Sequence, residues 1–321
     1  MNDPPAQPPD FAATRPAILR PPPSPKKRMA FFSRRNFFRG CVGLGLVGLG
    51  GWGYAKYEAG NLEVHHIALP KERFSSSHAF RILHLSDFQF SPEVPLALIE
   101  EAIVLGLAEK PDLCFLTGDF ISATLSEEEF GLYAKSLSKL TAAVPKTFAC
   151  LGNHDGGEWA ASHGGYPTTQ KVETLLAEAK VHLLQNQRTL FYVKGQPITL
   201  VGLGDLWAKR CLPDKCLPKH PDAPASLSEP PVILLSHNPD SKELLRTHHW
   251  DLMLSGHTHG GQFRVPFLDS APFAPVEDHD LLDGLHIWEE HLVHITRGVG
   301  NLYGIRFNCR PQVSILEVET A

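Results

Sequence analysis

The chain has 321 residues, 43% of them hydrophobic and 9% aromatic, which is enough apolar material for one substantial core. Its net charge of −5 is unevenly placed: residues 1–39 carry eight Lys/Arg against two Asp/Glu, so the other 282 residues sum to −11. A domain that acidic excludes general nucleic-acid binding, which rests on cations that neutralise phosphates, and six cysteines are too few for a disulfide scaffold at this length.

In chain order, residues 1–28 hold nine prolines and no helical periodicity. Such a stretch does not offset its ordering entropy, so a disordered Pro-rich tail is expected over residues 1–32, with Met29 as a second start for translation. Ser33 to Arg39 then carries Arg34 and Arg35 side by side, ahead of an apolar, Gly-rich run of 14 residues from Cys41 to Tyr54. A cationic stretch followed by a short apolar one has the layout of an export signal, and the paired arginines resemble a twin-arginine signal. The run falls short of the ~20 residues of a spanning helix, and no small-x-small cleavage site follows it. Residues 33–60 are therefore read as a signal or, preferably, an uncleaved anchor at a bacterial inner membrane, with the side of the membrane left open. The folded domain is taken as residues 61–321.

From Phe80 a grammar repeats: a short apolar strand, a polar cluster, a helix-like stretch. Strands are expected at Phe80 to Leu85 (ending on Ser86-Asp87), Leu113 to Leu116 (Gly118-Asp119) and Thr147 to Leu151 (Gly152-Asn153-His154-Asp155). Others are expected at Val232 to Leu235 (Ser236-His237), Leu252 to Leu254 (Gly256-His257-Thr258-His259), Leu292 to Thr296 and Val313 to Val318. Pro95 to Ala108 is amphipathic, and Ser126 with Glu129 forms a capping box that opens a helix to about Leu140. Strands alternating with helices predict an α/β architecture, in which ligands sit beyond the carboxyl ends of the strands. Every polar cluster falls just there. Two stretches interrupt the pattern, Gly156 to Thr168 and the Pro-rich Asp205 to Pro231 with Cys211 and Cys216. Both read as lids or binding loops; the two loop thiols are left either paired or free.

The groups that converge are Asp87, Asp119, Asn153, His154, His237, His257 and His259. Carboxylate and amide oxygens mixed with imidazoles suit Mn, Fe or Zn, and the lack of thiolates excludes a zinc knuckle. Two ions about 3.5–4 Å apart, bridged by one carboxylate, would clamp the attacking and leaving oxygens of an in-line displacement.

Asp87, Gly118-Asp119, Gly152-Asn153-His154-Asp155, His237 and Gly256-His257-Thr258-His259 resemble, in order, the five signature blocks of the calcineurin-like metallophosphoesterases. The resemblance spans roughly residues 80–318. It implies a β-sandwich flanked by helices (four layers, α/β/β/α) and two divalent cations, manganese foremost, with Fe, Zn²⁺ and Mg²⁺ as alternatives. Asp87 and His259 would hold the first ion, Asp119 would bridge, and Asn153, His237 and His257 would hold the second. His154 would stand beside the leaving oxygen, oriented by Asp155. The first block departs from the family's Asp-x-His: it reads Asp87-Phe88-Gln89. Either Gln89 ligates through its carbonyl oxygen, favouring Mn²⁺ or Mg²⁺, or the first ion is held loosely, or the site is degenerate and the chain a binding scaffold. The first two are preferred because every other ligand position is filled.

Arg297-Gly298-Val299-Gly300 and Arg306-Phe307-Asn308-Cys309-Arg310-Pro311 resemble the C-terminal signature of a bacterial subfamily with twin-arginine signals or membrane anchors. Arg297, Arg306 and Arg310 are thus candidates for substrate phosphate, or equally are residues flanking the last strands. Asp205 reads as a turn cap. The implied activity is hydrolysis of a phosphoester or pyrophosphate, of a small molecule or, as preferred, of a lipid-linked substrate such as UDP-2,3-diacylglucosamine of lipid A synthesis. Trp159, Tyr166, Leu206 and Trp207 would cradle its acyl chains. A general phosphodiesterase of the cell envelope is the alternative. The expected partners are a membrane surface and no nucleic acid, and no oligomeric state is read.

Overall fold

The computed structural model describes residues 50–71, 74, 76–219, 230–265 and 271–320. The Pro-rich tail and most of the signal-like segment, residues 1–49, lie outside them. In the first half of the chain come α1 (50–59), β1 (Glu63–Ala68), β2 (Phe80–Leu85), α2 (Leu96–Ala108), β3 (Leu113–Thr117) and α3 (Glu127–Ala143). β4 (Thr147–Cys150), α4 (Glu158–Ser162), α5 (Gln170–Glu178) and β5 (His182–Leu183) follow. The second half adds β6 (Gln187–Val193), β7 (Gln196–Gly202), β8 (Val232–Leu235), β9 (Leu252–Ser255), β10 (Gly284–Trp288), β11 (His291–Ile295) and β12 (Gln312–Val318).

The strands form two six-stranded sheets, ordered β1-β12-β2-β3-β4-β5 and β10-β11-β9-β8-β7-β6. β2, β3 and β4 run parallel, with helical crossovers α2 and α3 between them, and β7, β8 and β9 run parallel in the second sheet. Strands buried on both faces read as continuous apolar runs, which is why β3, β8 and β9 lack alternation in the sequence. The faces are nevertheless distinct. Leu83 and Leu85 of β2 pack under α2 and α3 against Ile99, Tyr133 and Leu137. Phe80 and Ile82 turn the other way, to meet Leu200, Ile233 and Leu254 of the second sheet.

The second sheet's outer face is covered by Trp250, Leu245 and Leu217. Its covering layer among the described residues is a 3₁₀ stretch, Pro239–Leu245, in place of a long α-helix. The capping box forms as expected. Ser126 Oγ accepts from the Glu129 amide at 3.2 Å, while the Glu129 carboxylate accepts from the Ser126 amide at 2.7 Å, an arrangement worth ~1 kcal/mol. The Gly156 to Thr168 stretch, expected as loop alone, folds one short helix, α4, which carries Trp159.

Because β2, β3, β4, β8 and β9 share one direction within their sheets and the sheets are stacked, their carboxyl ends open on a common rim. A bond across the sandwich fixes that rim: His237, after β8, sits 2.6 Å from the Thr117 carbonyl at the end of β3.

Candidate metal centre

At the rim the chain leaves its strands abruptly. Asp87, Gln89, Asp119, His257 and His259 all have φ between 50° and 68°, the left-handed region that costs non-glycine residues ~1–2 kcal/mol each. Cross-links hold these turns in place: the Asp87 amide donates to Gly118 O at 3.0 Å, Gln89 to Asp119 O at 3.0 Å, and Gly256 to His237 O at 3.0 Å. The left-handed twist swings each side chain over the rim. Glycine is required where the turns touch: a Cβ on Gly256 would lie 2.0 Å from Ser86 Oγ and 2.1 Å from Asp87 Oδ2.

The carboxylate of Asp119 is the hub. Its Oδ1 accepts from the His154 amide at 2.9 Å; its Oδ2 accepts from the Gln89 side-chain amide at 2.8 Å and lies 3.2 Å from His237 Nε2. His237 Nδ1 faces the Thr117 carbonyl, and His257 Nε2 faces the Pro275 carbonyl at 3.0 Å. Carbonyls only accept, so each of these nitrogens carries its ring's proton in the neutral imidazole. With both rings neutral, the remaining nitrogens, His237 Nε2 and His257 Nδ1, would present lone pairs to each other across 3.2 Å. Two acceptors and a carboxylate aimed at one point are the arrangement a cation satisfies. Ligand atoms of Asp119, His237 and His257 all lie within 4.8 Å of one another.

A second group adjoins the first. Asp87, fully buried, accepts from the His257 amide on both oxygens (3.1 and 3.0 Å), and His259 Nε2 stands 3.6 Å from its Oδ1. Asn153 Oδ1, Gln89 Oε1 and His259 Nδ1 are buried without a hydrogen-bond partner. Buried polar atoms are ordinarily paired, and these three belong to residues already singled out by their motifs. The donor set, oxygen and imidazole nitrogen without sulfur, fits divalent cations.

Electrostatics agree. Burial disfavours a charge on His237, but Asp119, together with Asp87 and Asp205, outweighs it and raises the pKa well above the usual histidine range. Burial would likewise raise Asp119, yet His237 and His154 hold it low. Asp87 is pushed up to about 6 by burial, with His237 opposing. His257 is brought down to about 3 by burial and by His237, and burial also lowers His259 and His154. The centre is a negative well: burial keeps His154, His257 and His259 neutral, the state in which histidine ligates, while the carboxylates hold a proton on His237 that a bound cation would displace.

Several expectations are corrected. Asp155 makes no bond to His154; its carboxylate accepts from the amides of Asp119 (2.9 Å), Phe120 (2.7 Å) and Gly152 (2.8 Å), tying the turn after β3 to the turn after β4. Arg306 is fully buried, and its guanidinium donates to the carbonyls of His259, Arg297, Gly298, Gly300 and Cys309. Arg297 is bound to Gln312 and Glu63, and Arg310 to Asn61, Leu62 and Glu63. None of the three arginines lines the cleft: each has spent its donors on the protein. Tyr166 bridges the Leu125 amide and carbonyl and leaves the cleft to Trp159 and Trp207. Cys211 and Cys216 are free thiols. Asp205 caps its turn as expected, accepting from the Ala208 amide at 2.7 Å.

Above the centre lies a cleft of ≈ 470 Å³, into which Asp119, Asn153, His154, His257 and His259 open. One wall is aromatic: Trp159 stacks on His163 at 4.0 Å and meets the edge of His154 at 4.8 Å, and Trp207 meets His257 at 4.4 Å. The other wall, Ser91, Ser122, Asn301, Leu302 and Tyr303, was not foreseen. Asn301 lies six residues past β11, farther from its strand than any residue of the metal site, so the strand-end pattern did not mark it.

The two-sheet sandwich and this rim of carboxylates, amides and imidazoles define a metal-dependent phosphoester hydrolase. A family model for calcineurin-like phosphoesterases matches residues 80–261, and the chain belongs to that family, which uses two divalent metals. Among individual proteins it is similar to Phosphodiesterase YaeI of Escherichia coli (strain K12), 42% identical over 289 residues, covering 89% of this chain and 99% of that one. Uncharacterized metallophosphoesterase YkuE of Bacillus subtilis (strain 168) is 28% identical over 310 residues, 91% of this chain and 99% of that one. UDP-2,3-diacylglucosamine pyrophosphatase LpxG of Chlamydia muridarum is also 28% identical, over 295 residues, 77% of this chain and 86% of that one.

Proposed function

We propose that the chain hydrolyses a phosphodiester or pyrophosphate bond in a lipid-linked substrate, UDP-2,3-diacylglucosamine being the named candidate. Asp87 and His259 would hold one cation, Asn153, His237 and His257 the other, and Asp119 would serve both. The observation that carries the hydrolytic reading is the convergence of Asp119, His237 and His257, whose ligand atoms lie within 4.8 Å of one another, beside the buried, unpartnered Asn153 Oδ1, Gln89 Oε1 and His259 Nδ1. When bound, the two ions lower the pKa of water and neutralise phosphoryl oxygens.

The chain's own groups do the rest. Asp155 locks the turns that carry Asp119 and Asn153. His154, its amide fixed on Asp119 and its ring edge against Trp159, stands in the cleft where it can hydrogen-bond the leaving oxygen. Gln89 donates to Asp119 and keeps a carbonyl oxygen for the metal, an oxygen-rich set that favours Mn²⁺ over zinc. The aromatic wall offers apolar surface to a lipid or a ring, and the likeness to LpxG supports a lipid-linked substrate.

The test is turnover of a chromogenic phosphodiester and of UDP-2,3-diacylglucosamine by the purified full chain, with Mn²⁺, Mg²⁺, Zn²⁺ and Fe²⁺, the products identified by mass spectrometry. Mn²⁺-dependent release of UMP is expected. No turnover with any metal would overturn the site. Turnover of the diester alone would favour the general phosphodiesterase, a reading supported by the 42% identity to YaeI.

A further inference from the structure

Helix α1 is half embedded. Ala55, Glu58 and Ala59 are buried, the Ala55 carbonyl accepts from the Arg306 amide at 3.0 Å, and Glu58 accepts from the Cys309 amide. Its remaining circumference is aromatic: Trp52 is 54% exposed, Tyr54 44% and Tyr57 69%. Tyr54 packs edge-on against Phe307 at 5.4 Å, and Lys56 lies over Trp52 at 5.6 Å. The same loop that seats α1 carries Tyr303, 78% exposed, whose neighbour Gly304 approaches Lys56 so closely that a Cβ there would be 2.6 Å from Nζ.

This corner touches the metal cleft. Asn301, Leu302 and Tyr303 form the cleft's lip, and a neighbouring cavity of ≈ 380 Å³, lined by Lys56, Gly60 and Gly304, shares Glu93 and Asn301 with it. Large aromatic side chains are usually packed away; four exposed together require a partner with apolar and polar character side by side. Trp and Tyr with a snorkelling Lys are the residues that settle at the boundary between acyl chains and headgroups. The sequence says which partner it is. From Gly40 to Ala55 no residue is charged, and Arg34, Arg35 and Arg39 precede the run, so the chain enters α1 from a segment built for lipid. Among the described residues no helix is long and apolar enough to cross a membrane.

We infer that the corner made by α1 and the loop at residues 301–307 is the surface on which the domain sits on a phospholipid bilayer, with the mouth of the metal cleft at the headgroup level. A tether alone would leave the domain free to tumble. Here the aromatic collar and Tyr303 set its orientation, and the leaflet supplies substrate to the lip formed by Asn301, Leu302 and Tyr303.

The experiment uses the full chain in phosphatidylethanolamine/phosphatidylglycerol vesicles whose acyl chains are brominated near the headgroup, with tryptophan fluorescence as readout. Tyr303→Trp places a reporter on the proposed surface. Tyr192→Trp places one at the opposite rim, where β6 pairs with the start of β7, at a residue also exposed (56%). The added fluorescence of Tyr303→Trp should be quenched and shifted to the blue, that of Tyr192→Trp should be neither, and Trp52→Phe should remove most of the quenching seen in the unmodified chain. Quenching confined to Trp52 would mean a tether without docking and overturns the inference, as does equal quenching at 303 and 192. No turnover is measured, so this result stands or falls separately from the hydrolase reading. Melting curves show whether each variant is folded.

Discussion

Replacing Gly256 by alanine tests how tightly the rim is built. The new methyl would fall 2.0 Å from Ser86 Oγ and 2.1 Å from Asp87 Oδ2, whereas real Cβ contacts essentially never come below 3.0 Å. Asp87 has nowhere to retreat: a Cβ on Gly298 would already be 2.6 Å from Asp87 Cβ, and the amides of Val299 and Gly300 grip the backbones of Ser86 and Asp87 at 2.9 and 2.6 Å. Relieving the clash moves the carboxylate by about an ångström, a misplacement that costs ~10²-fold in rate at a reacting centre. Overpacking of this kind removes only ~1–3 kcal/mol of stability, so the variant should fold and fail. Gly131→Ala is the control: nothing lies within 4 Å of its Cβ on α3, and it should stabilise by ~0.5–1 kcal/mol. Urea midpoints, calorimetric Mn²⁺ titration and kcat on a chromogenic diester read the three effects. A Gly256→Ala protein with unaltered Mn²⁺ affinity and kcat would refute the reasoning that the rim is a rigid metal cradle.

His237→Ala should abolish turnover while circular dichroism and the melting transition persist; substantial activity in the purified variant would remove His237 from the centre. Mn²⁺ at about a hundred times its dissociation constant should stabilise by ~2.7 kcal/mol, raising the Tm by ~5–10 °C for a domain of this size, and EDTA should reverse the shift; superimposable melts would count against ion binding. Arg306→Met strands five carbonyls and should cost ~3 kcal/mol or more without changing KM; a raised KM in a fully stable protein would return Arg306 to substrate binding. His294, paired with His84 between the sheets at 3.0 Å, has its pKa lowered to about 3 by burial. The unfolded chain therefore binds the extra proton below the ordinary histidine value, and stability should fall as pH drops from about 6.5, by up to ~1.4 kcal/mol per pH unit. His294→Phe should flatten that decline in urea midpoints, and an unchanged slope would assign it elsewhere.

What the sequence disclosed was local. The strand ends at Asp87, Asp119, Asn153, His237 and His257 were visible because a buried strand followed by Gly and polar residues is a pattern within ten positions. The capping box at Ser126 was visible for the same reason. What stayed hidden depends on partners far away in the chain. Nothing near Arg306 shows that it will be enclosed by the carbonyls of residues 259, 297, 298 and 300, and nothing near Asp155 shows that its carboxylate will face three amides and no imidazole. β6 and β7 escaped because neither alternates cleanly: the edge strand β6 exposes apolar Leu190 and Tyr192, and β7 opens on Gln196-Pro197 before its buried run. β1 escaped because its pairing strand lies about 250 residues downstream, Glu63 opposite Gln312.

That last pairing has a temporal side. β12 lies between β1 and β2, parallel to one and antiparallel to the other, so a strand made about 230 residues after β2 is the keystone of the first sheet. Until the ribosome has passed residue 318, β1 has no neighbour and β2 carries a raw edge, and closing so distant a contact is slow. The nascent polypeptide must therefore travel with its sheet ajar, a state suited to escort by chaperones. A nonsense codon at or just before position 312 would strip out that strand and leave both edges unpaired.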